Sequence, residues 1–314
     1  MWNTGWTNSR RAQSVSRIFQ KAPDYVRRPR TRTAPIGRYT MPSHAPRKRF
    51  GQNFLHDQSV IQRLVDVIAP RQGDAMVEIG PGLGALTTPL LQRLTALDVV
   101  ELDRDVLAPL AQRCAGFGEL RIHAADALRF DFSTLVTADQ RLRVVGNLPY
   151  NISTPLLFHL LDQARLIRDM HFMLQKEVVE RLAAAPDTAQ YGRLSVMVQY
   201  RCAVTPLFII PPHAFQPAPK VESAVVRMVP HATPPVAVDD FAGFARLVKQ
   251  AFAQRRKTLH NNLKGLLDDA QMRAVAIDPG WRAERLTLEQ FAALGNLLHG
   301  ADNNGRRDCA ADIL

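Results

Sequence analysis

The sequence predicts an α/β fold: an open sheet with helices on both faces, followed by a small all-α domain. Three observations predict it. From residue 59, short apolar runs of strand length alternate with helix-spaced apolar stripes. The first run is followed at once by a glycine turn, and polar residues stand at the ends of successive runs. Such alternation implies a parallel sheet, and open sheets of this kind take ligands at the carboxyl ends of their strands.

The elements run in order along the chain. Val60, Ile61, Leu64, Val65 and Ile68 have the spacing of one helix face over residues 60–68. Residues 76–79 form a short buried strand, and a helix runs from about 86 to 94 after the glycine turn. Residues 98–102 are a second strand and 104–113 a second helix. Residues 120–124 and 142–146 give two more strands. A helix at 155–164, a strand at 170–174 and a helix from 176 to about 184 come next. Residues 207–229 alternate strands with Pro-rich turns, 230–235 read as a linker, and 241–252 begins the helical part. The expected domains are 47–230 and 236–300, with 1–46 a disordered basic extension and 301–314 a polar tail.

Charge is unevenly placed. The 314 residues carry 40 Lys+Arg and 29 Asp+Glu, a net of +11. Residues 1–50 hold twelve of the cations against one acid, Asp24, and the remaining chain is balanced. A nucleic-acid partner inferred from net charge would thus rest on one terminal segment. That segment has three readings: an upstream extension with translation from Met41, an RNA-binding arm, or an organelle targeting peptide. Started at Met41, the chain nets only +3. An apolar content of 46% excludes a wholly disordered chain. The three cysteines have no close spacing, which excludes a disulfide framework and a Cys-based zinc site and fits a reducing compartment. The nine histidines show no metal-ligand spacing, so no metal is expected. No apolar run approaches the roughly 18–20 residues of a membrane span, so a soluble, cytoplasmic protein is expected.

Glu78-Ile79-Gly80-Pro81-Gly82-Leu83-Gly84 joins the first strand to a helix. Glycines there let the backbone approach a ligand and present N–H groups at a helix start. Gly80-x-Gly82-x-x-Ala85, with Glu101 lying 21 residues after Gly80, also satisfies a dinucleotide fingerprint. Glu101 ends the second strand, where a carboxylate can accept from both hydroxyls of a ribose. Asp126 comes after the third strand, at a place suited to an exocyclic adenine amine, and Asn147 after the fourth. Each could instead be a helix cap. Together they favour an adenosyl ligand, and the residues after Asn147 favour S-adenosylmethionine over NAD.

Asn147-Leu148-Pro149-Tyr150 has the form (Asp/Asn)-x-Pro-(aromatic), found after the fourth strand in enzymes that methylate exocyclic amines of nucleobases. The N6 lone pair of adenine is delocalised into the ring. Acceptors for both N–H groups, here Asn147 Oδ1 and the Leu148 carbonyl, draw the nitrogen toward tetrahedral geometry. Pro149 fixes the backbone and biases Leu148 away from helix. Tyr150 offers a face for base stacking, worth roughly 1–3 kcal/mol. The amine turns acidic once methylated, so no strong base is needed.

With these motifs the chain closely resembles the small-subunit (16S) ribosomal RNA adenine N6,N6-dimethyltransferases. The resemblance runs from about residue 47 to 298. It includes Arg49-Phe50-Gly51-Gln52-Asn53-Phe54-Leu55, the glycine turn, Asn147 to Pro155, His171-Phe172-Met173-Leu174-Gln175-Lys176-Glu177 and Gln254-Arg255-Arg256-Lys257-Thr258. It implies a class I, Rossmann-like methyltransferase sheet, and S-adenosylmethionine bound by Asn53, Leu55, Gly80, Glu101, Asp126 and Asn147. It further implies that Phe215 closes on the target base opposite Tyr150; from the residues alone, Phe215 reads as core. The implied substrate is a pair of adjacent adenosines in the 3′-terminal hairpin of 16S rRNA, each dimethylated within an assembling 30S particle by a monomeric enzyme. The erythromycin-resistance type of 23S rRNA methyltransferase shares fold and motif, but the match through Tyr191-Gly192-Arg193-Leu194-Ser195 and around Arg255 argues for 16S rRNA. An assembly factor selected for binding, and a DNA adenine methyltransferase, are further alternatives. For RNA contacts the candidates are Arg47, Lys48 and Arg49, and Arg255, Arg256 and Lys257 in and after a helix, where cations can lie along phosphates or simply favour a helix end.

Overall fold

The structure, a computed structural model, describes residues 52–311, with side chains described over 52–300. The expected extension at 1–46 and the candidates Arg47, Lys48 and Arg49 lie outside the described residues. The chain divides into two compact units, one reaching Glu180 and resuming over Ala203–Pro230, the other comprising Arg181–Cys202 and the chain from His231 onward.

In the first unit, β1 (Phe54–Leu55) leads into α1 (Gln58–Ile68), β2 (Met76–Ile79), α2 (Thr87–Leu91), β3 (Ala96–Glu101) and α3 (Leu107–Cys114). Then come β4 (Glu119–Ala124), β5 (Leu142–Asn147), α4 (Ser153–Asp162), β6 (Ile167–Gln175) and α5 (Lys176–Leu182). After α6 (Arg193–Arg201), β7 (Cys202–Ile210), β8 (Phe215–Gln216) and β9 (Ser223–Pro230) complete the strands. The expected helix at 104–113 opens instead as a 3-10 turn over Arg104–Val106 before α3. Pro109 explains this, because a proline has no N–H to donate and fits only the first turn of a helix.

The main sheet has the order β4-β3-β2-β5-β6-β9-β7. Neighbours from β4 through β6 are parallel, and β9 runs antiparallel to β6. The expectation of a parallel sheet is therefore corrected to a mixed one. Ser223 pairs with Gln175 and Met228 with Met170, so β9 enters at the carboxyl end of β6 and runs back. A dozen residues without a long helix separate β7 from β9. Parallel crossovers are usually carried by an α-helix, which this connection does not contain.

Alternation buries both faces of the sheet. Met76, Val99, Val145 and Met173 join a cluster with Ile61, Leu64 and Val65 of α1, Leu90 and Leu91 of α2 and Leu110 of α3. Their neighbours Val77, Val100, Val144 and Phe172 face the other way and are equally buried. Asp57 caps α1 by accepting from the N–H groups of Ser59 and Val60. The far end of α1 is closed by Arg143, which donates to the carbonyls of Ile68 and Ala69 at 2.6 and 3.3 Å. Those carbonyls would otherwise have no partner.

In the second unit, Tyr200 of α6 stacks on Phe241 of α7 (Phe241–Ala251) at 5.4 Å and contacts Phe244 at 5.3 Å. This aromatic packing is why the segment Arg181–Cys202, expected within the domain at 47–230, belongs with the helices. The unit continues with α8 (Leu259–Asn262), α9 (Asp269–Ala274) and α10 (Leu288–Ala311). α10 takes in most of the segment expected as a polar tail. Among the described residues no helix is long and apolar enough to cross a membrane.

Candidate active site

The strand order reverses between β2 and β5, and the carboxyl ends of these strands open onto a cavity of about 300 Å³. Such switch points are the binding crevices of open α/β sheets. Two glycine positions shape it. Gly82 has φ 53°, and a Cβ there would meet the Phe54 ring at 3.0 Å. Gly146 sits within β5, where a Cβ would lie 2.5 Å from the Ile79 carbonyl oxygen, so only glycine lets β5 approach β2 this closely beside the cavity-lining Ile79 and Asn147. Gly146 carries no motif that would single it out in the sequence, because a lone glycine in a strand has no local signature.

Five expected ligand-binding residues, Asn53, Leu55, Gly80, Glu101 and Asp126, line the cavity together with Asn147. Glu101 is fixed at both oxygens: Oε2 accepts from the Gly82 N–H at 3.2 Å and Oε1 from the Asp103 N–H at 2.8 Å. Burial pushes its carboxyl above the usual range, and those backbone donors oppose the shift. Asp126 Oδ1 accepts from the Leu128 N–H at 3.0 Å, so this carboxylate both caps its own turn and faces the cavity.

Glu78 is a cavity residue that sequence reasoning misses; its signal is a lone acid inside an apolar strand. It is 2% exposed, and Oε2 has no hydrogen-bond partner among the described residues. Burial pushes its pKa to about 7; the nearby Thr87 hydroxyl opposes this and the Glu101 charge reinforces it. The proton is held more tightly folded than unfolded, so this group's contribution to stability is full below about 4.5, falls as pH rises through the window up to about 7, and is gone above it. Glu78→Gln is expected to flatten that part of the stability–pH curve and to raise the melting temperature at pH 8 relative to wild type. Calorimetry across pH 4.5–8 reads both, and an unchanged slope rejects the assignment.

The Asn147 motif is held from several directions. Asn147 Nδ2 donates to the Asn53 carbonyl at 2.9 Å, which turns Oδ1 the other way as an acceptor. The Leu148 N–H donates to the Met173 carbonyl at 3.2 Å. Ser153 Oγ donates to the Tyr150 carbonyl at 3.2 Å, and the Tyr150 hydroxyl lies 2.8 Å from Ser223 Oγ. Leu148, Pro149 and Tyr150 all line the cavity.

Phe215 is not brought to the cavity. It is 2% exposed and packs in the core cluster with Leu55, Met173 and Phe208. Its strand pairs antiparallel with β1, Leu55 opposite Phe215. Closing over a base opposite Tyr150 would require the ring to leave that cluster.

The candidate cations of the second unit lie in the turn between α7 and α8, after the helix has ended at Ala251. Arg255 is engaged within the unit, donating through Nε to Glu284 at 3.2 Å and through its guanidinium to the Ala189 carbonyl. Arg256 and Lys257 are exposed. The turn is organised by buried Asn262, whose Nδ2 donates to the carbonyls of Ala251 and Gln254 at 2.8 and 3.0 Å.

The model of a family described as "Ribosomal RNA adenine dimethylase" matches residues 43–299. A protein named "Ribosomal RNA small subunit methyltransferase A" from Marinomonas sp. (strain MWYL1) is 57% identical over 253 residues, covering 81% of this chain and 95% of its own. One of the same name from Nitrosococcus oceani is 58% identical over 251 residues, covering 80% and 95%. The crystal structure of a dimethyladenosine transferase from Plasmodium falciparum superposes with a TM-score of 0.62 at 24% identity, over 76% of this chain and 95% of that one. At that identity the likeness concerns the fold.

Proposed function

The chain belongs to the ribosomal RNA adenine dimethylase family, and from that premise we propose how its own residues carry out methyl transfer to adenine N6. The protein is an S-adenosylmethionine-dependent dimethyltransferase of small-subunit ribosomal RNA. The residues present fit the methyl donor: a doubly anchored carboxylate at Glu101 for ribose hydroxyls, the close backbone approach at Gly80 and Gly82, and the buried acceptor Glu78 Oε2 for a cationic ligand. When bound, S-adenosylmethionine supplies an electrophilic methyl group.

Everything else falls to the chain. Asn53, Leu55, Gly80, Glu101 and Asp126 hold the donor. Asn147 Oδ1 and the Leu148 carbonyl accept from the two N–H groups of N6 and aim its lone pair. Tyr150 stacks on the adenine. The observation that carries this reading is the Asn147 Nδ2 bond to the Asn53 carbonyl, which orients Oδ1 before any substrate arrives. A preorganised acceptor needs no rearrangement as the nitrogen changes geometry.

In this reading the target is a pair of adjacent adenosines in the 3′-terminal hairpin of 16S rRNA, met within an assembling 30S particle in the cytoplasm by a monomeric enzyme. The α/β unit is catalytic, and the helical unit grips RNA through the Asn262-braced turn bearing Arg256 and Lys257, with Arg255 bracing it and Arg47–Arg49 on the RNA path. Extruding each adenosine costs a few kcal/mol, which backbone contacts supply. Incubation with undermethylated 30S and 50S particles, then primer extension across both large RNAs, tests the assignment. Two adjacent stops near the 3′ end of 16S rRNA are expected, and stops only in 23S rRNA overturn it.

A further inference from the structure

The cavity wall formed by Tyr150 is held at its far end by a residue to which the mechanism assigns no part. The backbone of the motif is already fixed: the Leu148 N–H is bonded to Met173, the Ile152 N–H to the Pro149 carbonyl at 3.2 Å, and the Tyr150 carbonyl to Ser153. What remains free in Tyr150 is rotation about its two side-chain bonds; turning about the first swings the long axis of the ring across the cavity, and the hydroxyl at the far end of that axis swings with it. The phenol oxygen lies 2.8 Å from Ser223 Oγ. Ser223 is 1% exposed and is the first residue of β9, paired in the ladder with Gln175. The strand start is pinned again one residue earlier, where the Lys176 N–H donates to the Glu222 carbonyl at 3.0 Å and Lys176 Nζ meets Glu222 Oε2 at 2.6 Å. The hydroxyl holding the ring is thus mounted on the sheet itself, two strands away from β5 in the sheet order.

We propose that Ser223 is a positioning residue for methyl transfer: its hydroxyl anchors the far end of the Tyr150 ring so that the stacked adenine presents N6 to Asn147 Oδ1 and the Leu148 carbonyl. The proposal rests on the reading that Tyr150 stacks on the target base. A stacking face constrains a base in one direction only. Without that anchor the ring swings about its first side-chain bond, the base shifts with it, and N6 leaves two acceptors that do not move.

The test compares Ser223→Ala, Ser223→Thr, Tyr150→Phe and the double variant Ser223→Ala/Tyr150→Phe in the full chain. The readouts are kcat, KM for undermethylated 30S particles, thermal stability, and the fluorescence of an RNA hairpin carrying 2-aminopurine at the target position. That base has no N6 amine and reports stacking without turnover. Ser223→Ala is expected to lower kcat by roughly 10- to 100-fold, the size of effect that small misplacements produce. KM should stay within about twofold, since a loss in kcat alone marks an interaction made at the reacting geometry. Emission from 2-aminopurine should rise as the base loosens from the ring. The double variant should be no slower than Tyr150→Phe, because both changes remove one bond. Ser223→Thr, which keeps the hydroxyl, should recover much of the rate. Additive losses in the double variant, or a Ser223→Ala enzyme with wild-type kcat and emission, overturn the proposal. The stacking reading beneath it fails separately, if Tyr150→Ala leaves both rate and emission unchanged.

Discussion

Asn147→Ala is expected to slow methyl transfer by about 100- to 1,000-fold, the loss that removal of one preorganised polar group produces at a reacting centre. Two effects combine. The acceptor for an N6 hydrogen disappears, and so does the bond from Nδ2 to the Asn53 carbonyl that ties the segment Gln52–Leu55 to the end of β5. Asn147→Asp separates them. A carboxylate still accepts from N6, but it cannot donate to the Asn53 carbonyl. It should therefore methylate faster than the alanine variant while binding S-adenosylmethionine more weakly than wild type. Single-turnover kinetics with equilibrium dialysis of the methyl donor would check both, and near-full activity in Asn147→Ala would remove Asn147 from the chemistry. The fold should survive, because the Asn147 side chain makes no contribution to the core clusters.

Arg143→Ala is expected to destabilise the first unit by about 3–5 kcal/mol, the usual result of removing one partner from a buried ionic group. Its guanidinium lies 2.7 Å from Asp74 and 3.0 Å from Asp169, with all three side chains at most 8% exposed. It also closes α1 through the Ile68 and Ala69 carbonyls. Truncation leaves Asp169 buried beside His171, and Asp74 with the exposed Arg168 and the Arg71 N–H. His171 provides an internal readout. Burial first, then the charges of Arg143 and Arg227, push its pKa down to about 4 against the pull of Asp169. With Arg143 gone the imidazole should titrate at higher pH, visible by NMR. Replacing Arg143, Asp74 and Asp169 together by apolar residues should recover much of the lost stability. A melting curve for Arg143→Ala that overlays wild type would show that the network holds nothing.

The features legible in the sequence are those that a single segment carries whole. The glycine turn after β2, the acid at the end of β3 and the Asn147 motif after β5 each announce themselves within a few residues, because strand ends and turns restrict residue type locally. The hidden features depend on partners far along the chain. β1 and β8 are two residues each, too short for any periodicity, and exist only because Leu55 meets Phe215. Arg143 reads as a polar interruption of an apolar strand until Asp74 and Asp169 converge on it. Glu78 looks like part of the turn, and its unusual proton affinity arises from burial that no window of sequence reports. Arg255 looks like one of three equivalent cations, yet its charge is answered by Glu284, 29 residues away. The antiparallel course of β9 follows a connection that carries no crossover helix, a property of the loop and not of the strand.

The pairing of β1 with β8 has a consequence for how the enzyme comes into being. One wall of the cavity, Asn53 to Leu55, is made near the start of the polypeptide, but the strand that fixes it is made some 160 residues later. During synthesis the glycine turn, Glu101 and Asn147 all emerge before the strand partner of that wall, which until then has the Asn147 bond to the Asn53 carbonyl and the packing of Phe54 on Leu83 and Val106. Until Phe215 and Gln216 have left the exit tunnel a nascent chain therefore holds that wall without its strand pairing, and the receptacle for the methyl donor is completed only afterwards. Stalled or truncated products ending before residue 216 should therefore gain less protection from S-adenosylmethionine than the full chain.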